Sequence, residues 1–331
     1  MNLASVIAGS VMTMVVGIAY ATIIPGVERK IHARIQRRYG PPITTPGFWN
    51  ILKFMFKRGV RINSPNAVVY YASLIVSMLC ISLVLLFSTP YWWGILGFSS
   101  ILGVVGLLKV EEASYVSMGS FSRSVMSAGM SCGDRAKHAS FSGVPSRYFE
   151  EVGASRALKM ITLGSFPFYI ALFVPFVMAK SVSIPDVLSL DAPAIVSLPG
   201  IIAAAVYFIG FNILTNNRPF DIIKPKVDII EGPLMEYAAS WRGMYYLFSG
   251  LLSFTLSSLF VTIFAGIPLD FMSPGLLLPH LFLVIMLPAC SAVMRAFSPV
   301  FTFKQIYKVS FASTLVGLIA LLLTVLTGGV L

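Results

Sequence analysis

The chain has 331 residues, of which 57% are hydrophobic and only 11% are charged, and its mean hydropathy is +0.85. Such a composition would aggregate in water, so it excludes a soluble domain and favours a lipid bilayer as the solvent. The net charge of +11 does not indicate nucleic-acid binding, because membrane orientation and anionic headgroups explain most of it. A docking face for an acidic soluble partner is the alternative source of this charge.

Eight apolar runs approach the length of about 20 residues that a membrane helix needs. They predict an all-α, polytopic membrane protein that forms a single integral membrane domain over residues 1–331. The first run lacks the basic start of a signal peptide, so we interpret it as a retained helix. The predicted spans are Leu3–Pro25, Ala67–Thr89, Trp92–Leu108, Gly153–Ala179, Pro193–Leu214, Met244–Leu269, Met272–Ala296 and Val309–Val330.

Basic residues lie almost entirely on one side of these predicted helices. All but one of the 24 Lys and Arg residues, the exception being Lys180, fall in or beside the segments 26–66, 109–152, 215–243 and 297–308. The positive-inside rule makes that side cytoplasmic and places both termini outside. We therefore expect a multi-pass protein of the cell membrane with cytoplasmic loops at 26–66, 109–152 and 215–243.

The first of these loops contains an amphipathic stretch. Phe48, Trp49 and Phe56 are interleaved with Lys53 and Lys57. Apolar and basic side chains in this arrangement predict a helix that lies in the membrane interface.

Few residues inside the predicted spans can carry chemistry. No Asp, Glu, Lys or Arg lies near the middle of a run, and we interpret His280 as a hydrogen-bonded packing residue, with a proton relay as the alternative. Cys80, Cys132 and Cys290 are far apart and form no CxxC pair, so the pattern supports neither a zinc site nor an iron–sulfur cluster. We therefore expect no cofactor bound by this chain.

The segment 217–237, NRPFDIIKPKVDIIEGPLMEY, concentrates acidic residues between two hydrophobic runs. Carboxylates beside lipid are costly, so the cluster indicates either a solvated loop or a surface that handles ions or docks a partner. Glu236 precedes an aromatic helix start, where partial desolvation would suit an ion-handling role. The candidate ion-coupling residues are Asp221, Asp228, Glu231 and Glu236.

Four motifs follow one another on the predicted cytoplasmic side. ERK-x-x-x-R-x-Q-x-R-x-GP begins at Glu28, and GASRALKM spans Gly153–Met160. PFD-x6-D/E-x3-G-x3-EY spans Pro219–Tyr237, and R-x3-P-x5-Q begins at Arg295. Together, and in this order, they resemble subunit 1 of respiratory complex I, also known as its H subunit, and the relatives of that subunit in membrane-bound hydrogenases.

This resemblance implies a non-catalytic subunit that anchors a redox-driven ion pump in the membrane and couples the two reactions, with its cytoplasmic loops facing the peripheral arm. The implied partners are peripheral hydrogenase-like redox subunits, antiporter-like subunits and small membrane subunits. Iron–sulfur clusters, with a nickel–iron centre as a further option, are expected in those partners. The implied docking or site-lining residues are Glu28, Arg29, Arg34, Arg38, Arg156 and Arg295.

Two departures from the complex I pattern concern acidic residues. Complex I members usually carry carboxylates where this chain has Lys224 and Lys226, and a Glu in the helix that here contains LGSFPFY. Their loss favours a hydrogenase-type or sulfur-reducing, ferredoxin-linked complex. A quinone-site subunit of complex I is the alternative within the family. A stand-alone secondary transporter is the alternative from another class, although the sequence shows no convincing repeat.

Overall fold

The computed structural model describes residues 3–59, 66–94, 99–121, 149–224 and 231–326. The described residues confirm the predicted all-α membrane architecture. Two π-helical turns, Thr45–Trp49 and Met160–Gly164, precede α2 and α6, respectively. The α-helices within these ranges are α1 Leu3–Ile35, α2 Asn50–Met55, α3 Ala67–Leu86, α4 Ile101–Ser120, α5 Phe149–Lys159, α6 Phe166–Met178, α7 Ile184–Leu188, α8 Leu198–Leu214, α9 Ala239–Phe264, α10 Pro274–Leu283, α11 Met286–Phe297 and α12 Phe303–Leu326.

Six helical segments in the described part of the chain are long and apolar enough to cross a membrane. They are α1, α3, α9 and α12, together with two composite spans made of α5 with α6 and α10 with α11. Proline explains both interruptions: Pro167 and Pro288 lack the N–H that would continue the backbone ladder of the preceding turn. The two remaining predicted spans correspond to α8, a shorter apolar helix, and to α4.

The third predicted span is wrong in position. The apolar pattern placed it at Trp92–Leu108, whereas α4 runs from Ile101 to Ser120. Pro90 opens a 3₁₀ turn instead, and the hydroxyl of Ser100 accepts the N–H of Leu102 and so caps the start of α4.

This displacement draws charged residues into the helical bundle. Lys109, Glu111 and Glu112 lie inside α4, which packs against α3 and α5, and both glutamates are buried. The predicted loop 109–152 is therefore wrong at its start, because residues 109–120 belong to α4.

Helix α1 approaches its neighbours through glycine. A Cβ on Gly250 of α9 would lie 2.1 Å from the carbonyl oxygen of Ala21, and one on Gly26 would lie 1.8 Å from that of Ile43. Gly47 meets Thr22 in the same way, at 1.8 Å. Backbones thus touch without side chains between them.

The interpretation of His280 as a packing residue is confirmed. Its ring is fully buried, with Nδ1 2.8 Å from the carbonyl oxygen of Ile267 and Nε2 2.9 Å from the hydroxyl of Ser258. A carbonyl only accepts, so Nδ1 carries the proton and Nε2 accepts from Ser258.

Candidate functional site

A cavity of about 1190 Å³ lies beside the C-terminal end of α1. Its wall also includes the loop before α2, the middle of α9 and the start of α12. The segments on either side of residues 225–230 complete the described part of the wall. We call this cavity the chamber. Most of the residues predicted to carry the site are in its wall, although they come from distant parts of the sequence. Those residues are Glu28, Arg29, Arg38, Arg156, Asp221, Glu231 and Arg295.

Three predicted site residues are not found in this wall. Glu236 follows the buried turn Gly232–Leu234 and does not line the chamber. Arg34 is exposed and lies 5.6 Å from the centre of the Tyr39 ring. Asp228 lies outside the described residues.

An ion pair joins two walls of the chamber. Nη1 of Arg295 lies 2.5 Å from Oε2 of Glu28, which connects the last turn of α11 to α1. The pair is largely buried, so its charge-assisted hydrogen bond is poorly screened by water. Both residues were predicted from the motifs.

A second ion pair holds the turn before α9. Glu231 has a left-handed backbone, with φ of 70°, and its carboxylate pairs with Arg242. Arg242 also donates to the carbonyl oxygen of Leu234 at 2.9 Å and lies 5.3 Å from the centre of the Tyr246 ring. The motifs do not include Arg242. It lies beside a predicted span, where a basic residue is expected to set the orientation of the chain in the membrane.

Asp221 and Lys224 bring one acidic and one basic side chain to the chamber wall just before residues 225–230. Oδ1 of Asp221 is buried and has no hydrogen-bond partner among the described residues. Burial opposes the charge on Lys224, but the hydroxyl of Tyr245 and the carboxylate of Asp221 outweigh that effect and raise the pKa of Lys224 above its usual value. Lys224 is therefore a stable cation at neutral pH.

Hydroxyl groups connect this wall to α4. Nζ of Lys224 donates to the hydroxyl of Tyr245 at 3.2 Å, and that hydroxyl lies 2.8 Å from the hydroxyl of Tyr115. Tyr115 is one helical turn beyond Glu111 and Glu112 in α4. A chain of polar contacts thus leads from the chamber to Tyr115 in α4, one turn from the buried glutamates.

The two glutamates have different surroundings. Oε2 of Glu112 lies 2.7 Å from Nζ of Lys109, and the hydroxyl of Tyr169 donates to Oε1 of Glu112 at 3.3 Å. Lys109 also donates to the hydroxyl of Ser165, at 2.8 Å, just after the π-helical turn. Within the described residues, no ion pair or hydrogen bond engages the carboxyl group of Glu111.

Glu111 and Glu112 are the main residues that the sequence reasoning missed. The letters KVEE directly after an apolar run predict the start of a loop. Three charges within four positions that continue a helical pattern were the available signal, because Lys109 and Glu112 can pair one turn apart.

The chamber is cationic. Among the residues that the structure describes, seven Lys or Arg side chains and three carboxylates line it. Among the described residues, no group of three His, Cys, Asp or Glu side chains could hold a metal ion. The arrangement can therefore attract negative charge and convey an electrostatic or proton shift toward α4.

Comparison with known proteins gives related sequences over most of the chain. The family model described as NADH dehydrogenase matches residues 7–327. An uncharacterized protein of Methanocaldococcus jannaschii is 41% identical over 308 residues, which cover 93% of this chain and 94% of that protein. The H subunit of the NADH-quinone oxidoreductase of Carboxydothermus hydrogenoformans is 23% identical over 239 residues, covering 71% of this chain and 62% of that relative.

A solved structure shares the fold. A chain in the structure of the membrane-bound sulfane sulfur reductase, an archaeal respiratory membrane complex, superimposes with a TM-score of 0.78. The superposition covers 97% of this chain and 99% of that one, at 22% sequence identity. At that identity, the likeness concerns the fold alone.

Proposed function

This chain belongs to the NADH dehydrogenase family, and from that premise we propose that it is the membrane anchor and ion-coupling subunit of a multisubunit redox-driven ion pump. The resemblance to subunit 1 of complex I drawn from the motifs is thereby confirmed at the level of the family. The observation that carries the proposal is the chain of hydrogen bonds from the chamber wall through Lys224 and Tyr245 to Tyr115, which lies one helical turn from the buried Glu111.

The charges of α4 are too costly to be incidental. One charged side chain near the centre of a membrane helix costs about 3 kcal/mol. The pairing of Lys109 with Glu112 offsets part of this cost, but it leaves Glu111 buried without an ion pair among the described residues. A function that needs a titratable group at this position explains why the cost is tolerated.

In the proposed mechanism, electron transfer in peripheral partner subunits changes the charge next to the chamber. Asp221 and Lys224 respond first, because they are in the wall and close to each other. Each tyrosine hydroxyl can both donate and accept, so Tyr245 and Tyr115 can convey a proton shift toward Glu111. Antiporter-like and small membrane subunits would then move protons or sodium ions.

The partners follow from the same proposal. Peripheral redox subunits would hold the iron–sulfur clusters, with a nickel–iron centre as a further option, and ferredoxin would be the electron donor of the complex. We propose that the chamber faces the cytoplasm, that both termini lie outside and that the complex resides in the plasma membrane. The placement of seven cations around one chamber supports a cytoplasmic opening.

Two alternatives are less well supported. The similarity to the H subunit of Carboxydothermus hydrogenoformans supports a quinone site. Typical ligand pockets, however, are mainly apolar with few polar groups, whereas seven cations line this chamber. The absence of charged residues inside the predicted spans is an argument against a stand-alone transporter. The buried glutamates of α4 remove that argument. Membership of the family now argues against a stand-alone transporter.

The deciding experiment replaces Glu111 with Gln in the intact complex reconstituted in vesicles. Electron transfer is expected to continue while ions moved per electron fall by about tenfold or more. Glu151→Gln, which removes an exposed carboxylate of α5, is the matched control and should leave both rates unchanged. Normal pumping in the Glu111→Gln complex would exclude the proposed path.

A further inference from the structure

A second, smaller cavity of about 270 Å³ lies between α1 and the helical segment Thr45–Met55. Arg29 and Lys53 supply its charge, and Thr45, Trp49 and Asn50 add polar groups to its wall. No described carboxylate lines it, and within the described part of the chain neither Arg29 nor Lys53 forms an ion pair or hydrogen bond. Two cations beside one hollow make it complementary to an anion.

The surroundings of this hollow are those of a membrane interface. Phe48, Trp49, Met55 and Phe56 in and beside the segment are between 48% and 84% exposed. Exposed aromatic and apolar side chains next to lysine fit the level of lipid headgroups, where tryptophan is enriched. Trp49 belongs both to this exposed face and to the wall of the hollow. These surroundings favour a lipid headgroup as the source of such an anion.

We propose that the hollow binds the phosphate headgroup of an anionic phospholipid. Arg29 and Lys53 contact the phosphate, and the hydroxyl of Thr45 and the amide of Asn50 donate hydrogen bonds to the headgroup oxygens. Trp49 packs against the glycerol and the start of the acyl chains. At about 270 Å³ the hollow is below the usual range for a complete drug-sized ligand, which suits a headgroup whose chains remain in the bilayer.

The lipid site adjoins the chamber but does not depend on its function. Arg29, Pro46 and Asn50 line both cavities, so a bound headgroup would hold Arg29 at the rim of the chamber. The inference requires only that the chain spans a membrane next to the Thr45–Met55 segment. It would survive the failure of the ion-coupling proposal.

The test is a lipid titration of the intact complex, purified in a neutral detergent and followed by native mass spectrometry. Phosphatidylglycerol is the anionic probe, and phosphatidylcholine is the zwitterionic one. Lys53→Gln is expected to weaken binding of one phosphatidylglycerol about fivefold, and Arg29→Gln with Lys53→Gln about 25-fold, because each charge contributes separately. Phosphatidylcholine binding should not change.

Lys57→Gln is the matched control. Lys57 is an exposed lysine one turn beyond Lys53, it does not line the hollow, and its Nζ lies 5.0 Å from the centre of the Phe54 ring. The proposal predicts that the Lys57→Gln complex binds phosphatidylglycerol as tightly as the unmodified complex does. If Lys53→Gln and Lys57→Gln weakened phosphatidylglycerol binding equally, the proposal would be overturned, because diffuse surface charge would then explain the binding. Displacement of the lipid by inorganic phosphate at comparable concentration would overturn it in favour of a free-anion site.

Discussion

The carboxylate of Glu28 in α1 and the guanidinium of Arg295 in α11 meet at 2.5 Å, although 267 positions separate them in the sequence. They therefore hold two walls of the chamber together. Charge-assisted hydrogen bonds of this kind are shorter and stronger than neutral ones. Nε of Arg295 is buried and has no hydrogen-bond partner among the described residues, so the guanidinium depends mainly on Glu28.

The first prediction concerns this ion pair. Replacing Arg295 with Met should lower the free energy of unfolding by about 2 kcal/mol, because it leaves a buried carboxylate without its cation. Replacing Glu28 with Gln in the same chain should recover part of the loss. Thermal unfolding of the purified complex measures both effects. Arg34→Met, at an exposed arginine outside the chamber, is the control, and an equal loss there would contradict the role of the pair.

The second prediction concerns the hydroxyl of Tyr245. Tyr245→Phe removes the link between Lys224 and Tyr115 while keeping the ring, so ions moved per electron should fall by about tenfold or more. Tyr246→Phe is the control, because Tyr246 also lines the chamber but its hydroxyl is not part of the path. Pumping and electron transfer are measured together in vesicles. Equal coupling in the two variants would show that the tyrosine path is not used.

The third prediction concerns the charges of α4. Lys109→Met should destabilise the protein by about 2 kcal/mol, a value reduced for solvent screening because the Lys109 side chain is 38% exposed. Adding Glu112→Gln should recover stability, since the buried carboxylate no longer needs a cation. The measurement is unfolding of the purified complex by denaturant. Failure of the double variant to recover stability would mean that Lys109 acts through Ser165 instead.

The fourth prediction concerns pH. The pKa of Lys224 is raised in the folded protein, so its charge stabilises the fold fully below the unfolded value of 10.5 and progressively less as the pH rises through the folded value. The stability difference between the unmodified chain and Lys224→Met should therefore be constant near neutral pH and shrink above about pH 10.5. Alkaline unfolding checks this. Lys308→Met, which removes an exposed lysine outside the chamber, is the matched control.

The motifs predicted residues of the chamber wall better than the apolar runs predicted helix ends. Arg156 and Asp221 each belong to a motif, and both line the chamber. Helix ends were less predictable, because apolar length alone cannot show where a cap begins. Ser100 caps α4, and this local hydrogen bond overrides the apolar run that begins at Trp92.

The buried charges could not be recognised from hydropathy. A span is recognised by the absence of charge, so Lys109 and Glu111 ended the predicted span although the helix continues to Ser120. The cost of burying Lys109 and Glu112 is offset by contacts with Ser165 and Tyr169, respectively, which come from a span more than 50 residues later. Only the folded chain brings these groups together.

The glycine contacts of α1 fix the spacing of one part of the chamber. Gly26, Gly47 and Gly250 place α1, its following loop and α9 in direct backbone contact. Gly47 and Gly250 also line the chamber, so this part of its wall is backbone packed on backbone. A methyl group at any of these three positions would force two backbones apart, and the width of the chamber therefore depends on residues that have no side chain at all.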